Sequence, residues 1–259
     1  MPSLQAGWRI QTRVIRALMT RELITRFGRE NIGFLWMMVE PLLFALLVGI
    51  MWTILGNSEH GLNVIAFVIT GYLPLTLFRH AVGRSVKAFS VNGSLMYHRQ
   101  IKMLDFIVVR FLIEMIGGMM AYVFIAVVLI ALDLFPVPAN ILYVILGWLL
   151  YCLFTFSLCL ILAPLSEVSE VLEKFIPVTT YIMIPFSGTF NMMSWLSPQL
   201  RDILYWSPPV NAMEMMRYGI FGDQVTPYYD PMVPIVVSLA LLPIGLAMCR
   251  RIRKTLVVE

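Results

Sequence analysis

Six apolar stretches of this chain are each long enough to cross a lipid bilayer as a helix, and they constrain the fold more than any other feature. They cover residues 32–55, 62–83, 106–132, 140–163, 174–190 and 231–249, and a membrane-spanning helix needs about 20 residues. Only 13% of the residues are charged, whereas an ordinary soluble domain has about 25%. The sequence therefore predicts an all-α integral membrane protein with six transmembrane helices, in which residues 1–259 form one domain.

Residues 8–30, just before the first apolar stretch, predict an amphipathic interface helix. Apolar side chains recur every four positions from Ile10 to Phe27, and arginines fill the gaps between them. A helix of this kind lies in the headgroup region, with its apolar atoms toward the acyl chains and its arginines toward anionic phosphates. Six arginines before the first long apolar stretch also argue against a cleavable signal peptide.

The predicted loops carry Lys and Arg almost entirely on one side of the membrane. Of the 19 such residues, all but Arg201 and Arg217 belong to the two ends of the chain or to the second and fourth loops with their flanks. The group from the second loop and its flanks is Arg79, Arg84, Lys87, Arg99, Lys102 and Arg110. By the positive-inside rule, both termini are expected in the cytoplasm.

No residue pattern indicates a metal or nucleotide site. Cys152, Cys159 and Cys249 have no C-x-x-C spacing and suit small apolar packing residues. A Walker A loop needs Gly before its Lys so that backbone amides cradle the phosphates, and no lysine of the chain follows a Gly. We therefore expect no metal site, no cofactor in this chain and no nucleic-acid partner. If the chain is an active transporter, an ion gradient or another polypeptide drives it.

Three blocks of the sequence resemble the ABC-2-type permeases that export polysaccharides. They run from Arg26 to Pro41 (RFGRENIGFLWMMVEP), from Asn92 to Glu114 (NGSLMYHRQIKMLDFIVVRFLIE) and from Ser207 to Gly222 (SPPVNAMEMMRYGIFG). The Glu-Pro pair in the first span is more similar to capsule polysaccharide export inner-membrane proteins than to O-antigen exporters. Asn211 departs from the pattern, since close capsule relatives would have His there.

The resemblance implies half of a transporter in the bacterial inner membrane. A second copy of the chain would complete the permease, and two copies of a separate ABC ATPase subunit would bind ATP and Mg²⁺. The cargo would be a lipid-linked polysaccharide among membrane lipids, handed to a periplasmic polysaccharide co-polymerase and an outer-membrane exporter. The chain itself would be a transport subunit and not an enzyme, with no catalytic residues.

The expected ATPase contact consists of the interface helix and a cytoplasmic coupling segment, residues 86–103. This segment is too polar to span, yet it carries enough apolar surface to sit in a groove. The candidate contact residues are Arg21, Arg26, Phe27, Gly28, Leu95, Tyr97, Arg99 and Lys102. Apart from the resemblance, a positive loop that touches only lipid headgroups fits this segment equally well.

Residues 191–222 predict two short re-entrant helices, one on each side of Pro208-Pro209. The sequence Ser197-Pro198 favours a helix start, with Ser as the cap and Pro in the first turn. Backbone of this kind is tolerated at membrane depth only where protein or a water-filled path surrounds it. The resemblance implies that these helices form the outer gate, and the alternative is an aromatic belt at headgroup level.

Charged residues in apolar surroundings call for a functional hypothesis, because each costs at least a few kcal/mol at mid-bilayer unless it is paired or hydrated. Glu40 lies inside the first span, whereas the spacing of Arg110 with Glu114, and of Glu214 with Arg217, allows pairing within one helix. A glycan path would add aromatic rings as platforms for sugars. The candidates for the path or gate are Glu40, Trp36, Trp52, Tyr72, Tyr181, Phe186, Phe190, Trp195, Tyr205, Trp206, Glu214 and Arg217.

Two alternatives remain open on the sequence. The same architecture could export another cargo, such as O-antigen, teichoic acid or a drug. A membrane enzyme that handles glycolipids would need an acid, a base or a nucleophile near one membrane face. Glu167, Glu170 and Glu173 come closest, but their spacing by three predicts one solvated face of a single helix.

Overall fold

A computed structural model describes residues 4–28, 32–54, 61–97 and 101–256 of the chain, and within these ranges the fold is helical and has no strand. The α-helices in chain order are α1 Leu4–Phe27, α2 Ile32–Ile54, α3 Val64–Ser85, α4 Met103–Ala131, α5 Ile141–Val168, α6 Glu170–Phe186, α7 Pro198–Tyr205, α8 Pro208–Phe221 and α9 Met232–Leu256. A 3₁₀ segment, Ser90–Tyr97, lies between α3 and α4. Each of the six predicted spans overlaps one α-helix, and these are α2, α3, α4, α5, α6 and α9.

Four helices are long and apolar enough to cross a membrane when the described residues are searched: Val64–Ser85, Met103–Ala131, Ile141–Val168 and Met232–Ile252. The other two predicted spans correspond to α2, with a described apolar part over Val39–Met51, and to α6, which has only 17 residues. The helical architecture with four membrane-length helices is therefore established. The count of six crossings stays a prediction.

Side-chain caps explain where several of these helices begin. Asn63 accepts hydrogen bonds from two amides in the first turn of α3, Asn140 accepts one from Leu142 in α5, and Ser169 accepts one from Val171 in α6. Each cap satisfies an amide that has no partner inside the helix and contributes about 1 kcal/mol. At α7 the prediction was half right, because Pro198 begins the helix but the Ser197 side chain makes no capping hydrogen bond.

Helix α5 is central, and it packs along α8 on one side and α9 on another. Glycines allow this close approach. A Cβ on Gly219 of α8 would lie 2.8 Å from the backbone nitrogen of Val144 in α5, and one on Gly245 of α9 would lie 2.6 Å from the Cβ of Leu160. Small residues at helix contacts are the usual means of tight packing in membranes, where van der Waals contact replaces the hydrophobic effect.

The predicted glutamate face is wrong, because the helix breaks at Ser169. Ser169 has extended backbone angles (φ −152°, ψ 130°), so α5 ends and α6 begins there. Glu167 therefore belongs to the end of α5, while Glu170 and Glu173 lie in the first turn of α6. Two acidic residues in a first helical turn favour the partial positive charge at a helix N-terminus.

Candidate functional site

Arg217 of α8 is fully buried, and it holds the chain that links α6 to α7. Its guanidinium donates hydrogen bonds to the carbonyl oxygens of Gly188 (2.6 Å), Thr189 (2.6 Å) and Asn191 (2.8 Å). The same group lies over the Phe67 ring of α3, 4.1 Å from the centroid. Several fixed acceptors in one region suit the rigid, planar donor fork of arginine.

Glu214, one turn before Arg217 on α8, holds the same linker through a different atom. Its carboxylate accepts a hydrogen bond from the backbone nitrogen of Met193 at 3.0 Å. The predicted pair within the helix is wrong, since the ion pairs of the described residues do not include Glu214 with Arg217. The buried carbonyls around Arg217 compete for its guanidinium. Both charges therefore fix residues 188–193 against α8.

Asn211 is a buried junction between α7, α8 and the loop before α9. Its side-chain amide donates to the carbonyl oxygens of Tyr205 (2.7 Å) and Ser207 (2.9 Å), and its side-chain oxygen accepts from the backbone nitrogen of Asp230 (2.7 Å). A neutral amide satisfies two acceptors and one donor here without a charge. Asn211 therefore makes three hydrogen bonds at the position where His was expected.

The aromatic residues predicted for the outer gate divide into packed and exposed groups. Trp195 lies against Phe67, with ring centroids 4.7 Å apart, whereas the Trp206 side chain is 73% exposed. The Tyr205 hydroxyl donates to Asp230 at 3.1 Å, which raises the pKa of Tyr205 because the phenol proton is held by an acceptor. Phe186 is exposed and Phe190 is half-buried.

Among the aromatic path candidates, Tyr72 is a buried residue of α3 and Tyr181 of α6 contacts α3. Tyr72 stacks on Phe44 of α2, with centroids 3.9 Å apart and planes 17° from parallel. The Tyr181 hydroxyl of α6 accepts a hydrogen bond from Arg79 at 3.1 Å. Glu40 of α2 is half-buried. The side chains of Trp36 and Trp52, which were also candidates, lie outside the described residues.

Glu114 of α4 joins three helices near the opposite end of the molecule from α7. Its buried carboxylate forms ion pairs with Arg26 of α1 (2.6 Å) and Arg84 of α3 (2.5 Å), and it lies 3.7 Å from His80 of α3. The cations come from neighbouring helices, so the spacing within α4 did not reveal them.

The predicted pair of Arg110 with Glu114 is therefore wrong. Arg110 instead pairs with Glu22 of α1 at 3.5 Å and donates to the carbonyl oxygen of Arg84 at 2.6 Å. That carbonyl belongs to the last turn of α3, where helix carbonyls lack partners and the macrodipole favours a cation. Arg26 and Arg84 already occupy the space around the Glu114 carboxylate.

The segment after α3 is seated on the junction of α5 and α6. The Glu167 carboxylate accepts from the backbone nitrogens of Phe89 and Ser90, each at 3.0 Å, and the Ser166 hydroxyl accepts from the backbone nitrogen of Lys87 at 2.9 Å. The Lys87 ammonium pairs with Glu173 at 2.8 Å, and this hydrogen bond raises the pKa of Lys87. These contacts tie residues 87–90, which lead into the 3₁₀ segment, to α5 and α6.

Some of the residues predicted to contact the ATPase make contacts within this chain. Arg21 donates to Asn92 of the 3₁₀ segment at 3.0 Å, Arg26 pairs with Glu114, and Lys102 is exposed at the start of α4. Gly28 ends α1 with a positive φ of 67°, which suits glycine at a helix C-terminus. Phe27 and Leu95 are half-buried. The Tyr97 side chain and Arg99 lie outside the described residues.

The sequence analysis missed Arg79, His80 and Arg84 as site residues. Arg79 and His80 fall inside the predicted second span, and a cation within an apolar stretch was the available signal. Arg79 was instead counted with the basic residues of the following loop. Glu22 and Asn92 were also missed, because their partners lie 88 and 71 positions away in the sequence.

Comparison with known proteins gives a consistent result. Residues 13–221 match the ABC-2 type transporter family. The capsule polysaccharide export inner-membrane protein CtrC of Neisseria meningitidis serogroup B is 40% identical over 246 residues, which cover 95% of this chain and 93% of that protein. BexB of Haemophilus influenzae, of the same description, is 38% identical with the same coverage. The polysialic acid transport protein KpsM of Escherichia coli is 26% identical over 95% of this chain and 96% of its own.

Proposed function

Because the chain belongs to the ABC-2 type transporter family, we propose that it is the membrane permease subunit of an ATP-driven exporter of capsular polysaccharide. The observation that carries this proposal is 40% identity over 95% of the chain with a capsule polysaccharide export inner-membrane protein of nearly equal length. The sequence has no Walker A loop, which supports ATP binding by a separate subunit.

In the proposed assembly, two copies of this chain form the membrane path and two copies of an ABC ATPase bind ATP and Mg²⁺ beneath them. The chain crosses the inner membrane six times, with both termini in the cytoplasm. A lipid-linked glycan leaves through the path, past α7 and α8, toward a periplasmic co-polymerase and an outer-membrane exporter. The basic amphipathic α1 and the asymmetric charge of the loops support this orientation.

The contacts on the cytoplasmic side provide a route for force from the ATPase. Movement of α1 would be transmitted to α3 and α4 through the ion pairs of Arg26 and Arg84 with Glu114. Movement of residues 87–90, which lead into the 3₁₀ segment, is transmitted to α5 and α6 through Glu167 and Glu173. These contacts are charged or hydrogen-bonded and partly buried. They therefore couple the helices more rigidly than a flexible loop would. The two inputs together would tilt the helices that line the path.

Deletion of the gene in its host tests this function. We expect cells that lack it to accumulate polysaccharide internally and to display none on their surface, and a plasmid copy to restore surface display. The purified chain should co-purify with its ATPase and support ATP turnover. Loss of a different glycoconjugate, with normal capsule, would assign another cargo. Transport that follows a proton gradient without an ATPase would contradict the proposal as a whole.

Glu40 is the residue to vary in the same strain. If it belongs to the path or its gate, Glu40→Ala should keep ATP turnover and lose export. Glu170→Ala, which removes an exposed carboxylate from the first turn of α6, is the matched control and should export normally. Equal export by both variants would remove Glu40 from the path.

A further inference from the structure

Arg79 is a cation in the interior of α3, six positions before the helix ends at Ser85. Its guanidinium lies 4.7 Å from the centroid of the Tyr181 ring on α6 and donates a hydrogen bond to the Tyr181 hydroxyl at 3.1 Å. The Tyr181 side chain is 57% exposed. The pair therefore lies at an open surface between α3 and α6, and not in the packed core.

The charge of Arg79 has no carboxylate partner in the described part of the chain. The ion pairs there join Arg26 and Arg84 to Glu114, Arg110 to Glu22, and Lys87 to Glu173. Among the described residues, Arg79 contacts a neutral hydroxyl and an aromatic face, both of Tyr181. A guanidinium has five N–H donors, and one hydrogen bond to Tyr181 leaves the others available.

The Arg79 side chain is directed away from the lipid headgroups at the nearer end of α3. Side chains on an α-helix tilt toward the N-terminus of the helix, so the Arg79 stem is directed toward the middle of α3 and away from its nearer end. Its partner Tyr181 is also an interior residue, five positions before α6 ends at Phe186. A cation at this depth costs at least a few kcal/mol unless it is paired or hydrated. The surface it faces is therefore wet or occupied by an anion.

Tyr72 lies along the same face of α3 as Arg79. Tyr72 precedes Arg79 by seven positions, which is close to two helical turns, and it stacks on Phe44 of α2. The Tyr72 ring is buried against Phe44 and is no free platform for a sugar. Contact with the glycan at this surface therefore falls to the guanidinium, which binds an oxyanion strongly and directionally.

We propose that Arg79, held in place by Tyr181, binds an oxyanion of the exported glycan, a carboxylate or phosphate on an acidic sugar. The permease then selects anionic polymers. This inference rests on the proposed export function and adds the charge class of its substrate. Tyr181 acts as a positioning residue, because its ring and hydroxyl fix the plane of the guanidinium and leave the remaining donors toward the open surface.

Binding measurements on the purified permease with its ATPase test the proposal directly. The complex is placed in nanodiscs of phosphatidylcholine and titrated with hyaluronan oligosaccharides, which carry carboxylates, or with neutral malto-oligosaccharides. We expect hyaluronan to bind at least about tenfold more tightly than the neutral sugars, and Arg79→Gln to remove that preference. Arg79→Lys should retain part of it, since lysine keeps the charge without the planar fork. Arg251→Gln, at the exposed end of α9, is the matched control.

Equal binding of hyaluronan by the wild type and Arg79→Gln would overturn the assignment. A second preparation contains phosphatidylglycerol, and competition by this lipid would assign the oxyanion to a headgroup and also overturn it. Dissociation of the permease dimer by Arg79→Gln would show that the guanidinium serves the contact between subunits instead.

Export in the gene-deleted host separates this inference from the proposed function. If the wild-type plasmid fails to restore any surface polysaccharide, the export function itself is wrong. If the wild type restores export and Arg79→Gln exports at the same rate, only the role of Arg79 is wrong. The expected result is normal export by Arg251→Gln, at least about tenfold slower export by Arg79→Gln and intermediate export by Arg79→Lys. A host polymer without carboxylate or phosphate would also contradict the inference.

Discussion

At the scale of single residues, Arg217 supports the chain that links α6 to α7. It is buried, and three backbone carbonyls of residues 188–191 depend on its guanidinium. Arg217→Met would leave these carbonyls without a donor, and each buried group left so costs about 1–3 kcal/mol. We expect a fall in melting temperature in detergent, measured as loss of the monodisperse peak after heating, and a smaller fall for Arg217→Lys.

The control for this prediction is Arg251→Met, which removes an exposed arginine at the end of α9. It should melt like the wild type, because an exposed charge in water contributes little to stability. An unchanged melting temperature for Arg217→Met would mean that water replaces the guanidinium without cost, and it would contradict the support that Arg217 gives to residues 188–191.

Two glycines give a second prediction at this scale. A Cβ at Gly219 would approach the backbone of α5 to 2.8 Å, whereas a Cβ at Gly83 of α3 would meet nothing within 4 Å. Gly219→Ala should therefore force α5 and α8 apart and destabilise the protein by about 1–3 kcal/mol. Gly83→Ala should leave the melting temperature unchanged or slightly higher, because alanine favours helix more than glycine. Equal effects of the two changes would contradict the tight contact.

At the scale of the elements, Glu114 fixes α1 against α3 and α4. Glu114→Gln keeps the shape of the side chain but leaves Arg26 and Arg84 without their buried carboxylate. Removing one partner of a buried ion pair is strongly destabilising, by roughly 3–5 kcal/mol. We expect backbone amides of α1 to exchange hydrogen at least about tenfold faster, measured by mass spectrometry of peptides from residues 4–27.

Glu170→Gln is the matched control for this exchange experiment, because Glu170 is exposed in the first turn of α6. Its α1 peptides should exchange like those of the wild type. Slow exchange of α1 in Glu114→Gln would show that Glu22 with Arg110, and Arg21 with Asn92, suffice to hold the helix.

The same element scale shows how far the sequence could predict the fold. The long helices lie close to the predicted spans, because apolar length and the caps at Asn63 and Asn140 are local signals. The pairing of Arg110 with Glu114 was wrong because helical spacing considers one helix alone. The actual partners of Glu114 come from α1 and α3, and only tertiary packing brings them together.

The candidate site was predictable to a similar degree. Glu214 and Arg217 were found as charges in apolar surroundings, yet their partners are backbone groups of a loop, which no side-chain pattern marks. Arg79 was assigned to a loop because a sequence gives the approximate end of a span and not the direction of a side chain. Its role becomes visible only when Tyr181 of α6, 102 positions later, lies beside it.

At the scale of the whole molecule, the two groups of contacts lie at opposite ends of the long helices. The linker held by Arg217 and Glu214 follows the C-terminal end of α6. The contacts of Glu114 and Glu167 involve the C-terminal ends of α3 and α5. If the basic end faces the cytoplasm, ATPase motion enters there and the gate lies on the outer side. The orientation of the chain is thus the premise on which the whole mechanism depends.

Labelling of single introduced cysteines tests that orientation. The native cysteines Cys152, Cys159 and Cys249 are buried, so they give little background. Asp202 of α7 and Ser90 of the 3₁₀ segment are exposed and belong to opposite ends. In spheroplasts with an intact inner membrane, a membrane-impermeant maleimide should label Asp202→Cys, and it should label Ser90→Cys only after permeabilisation. The reverse pattern would place the basic end outside, against the positive-inside rule, and α1 could then not contact a cytoplasmic ATPase.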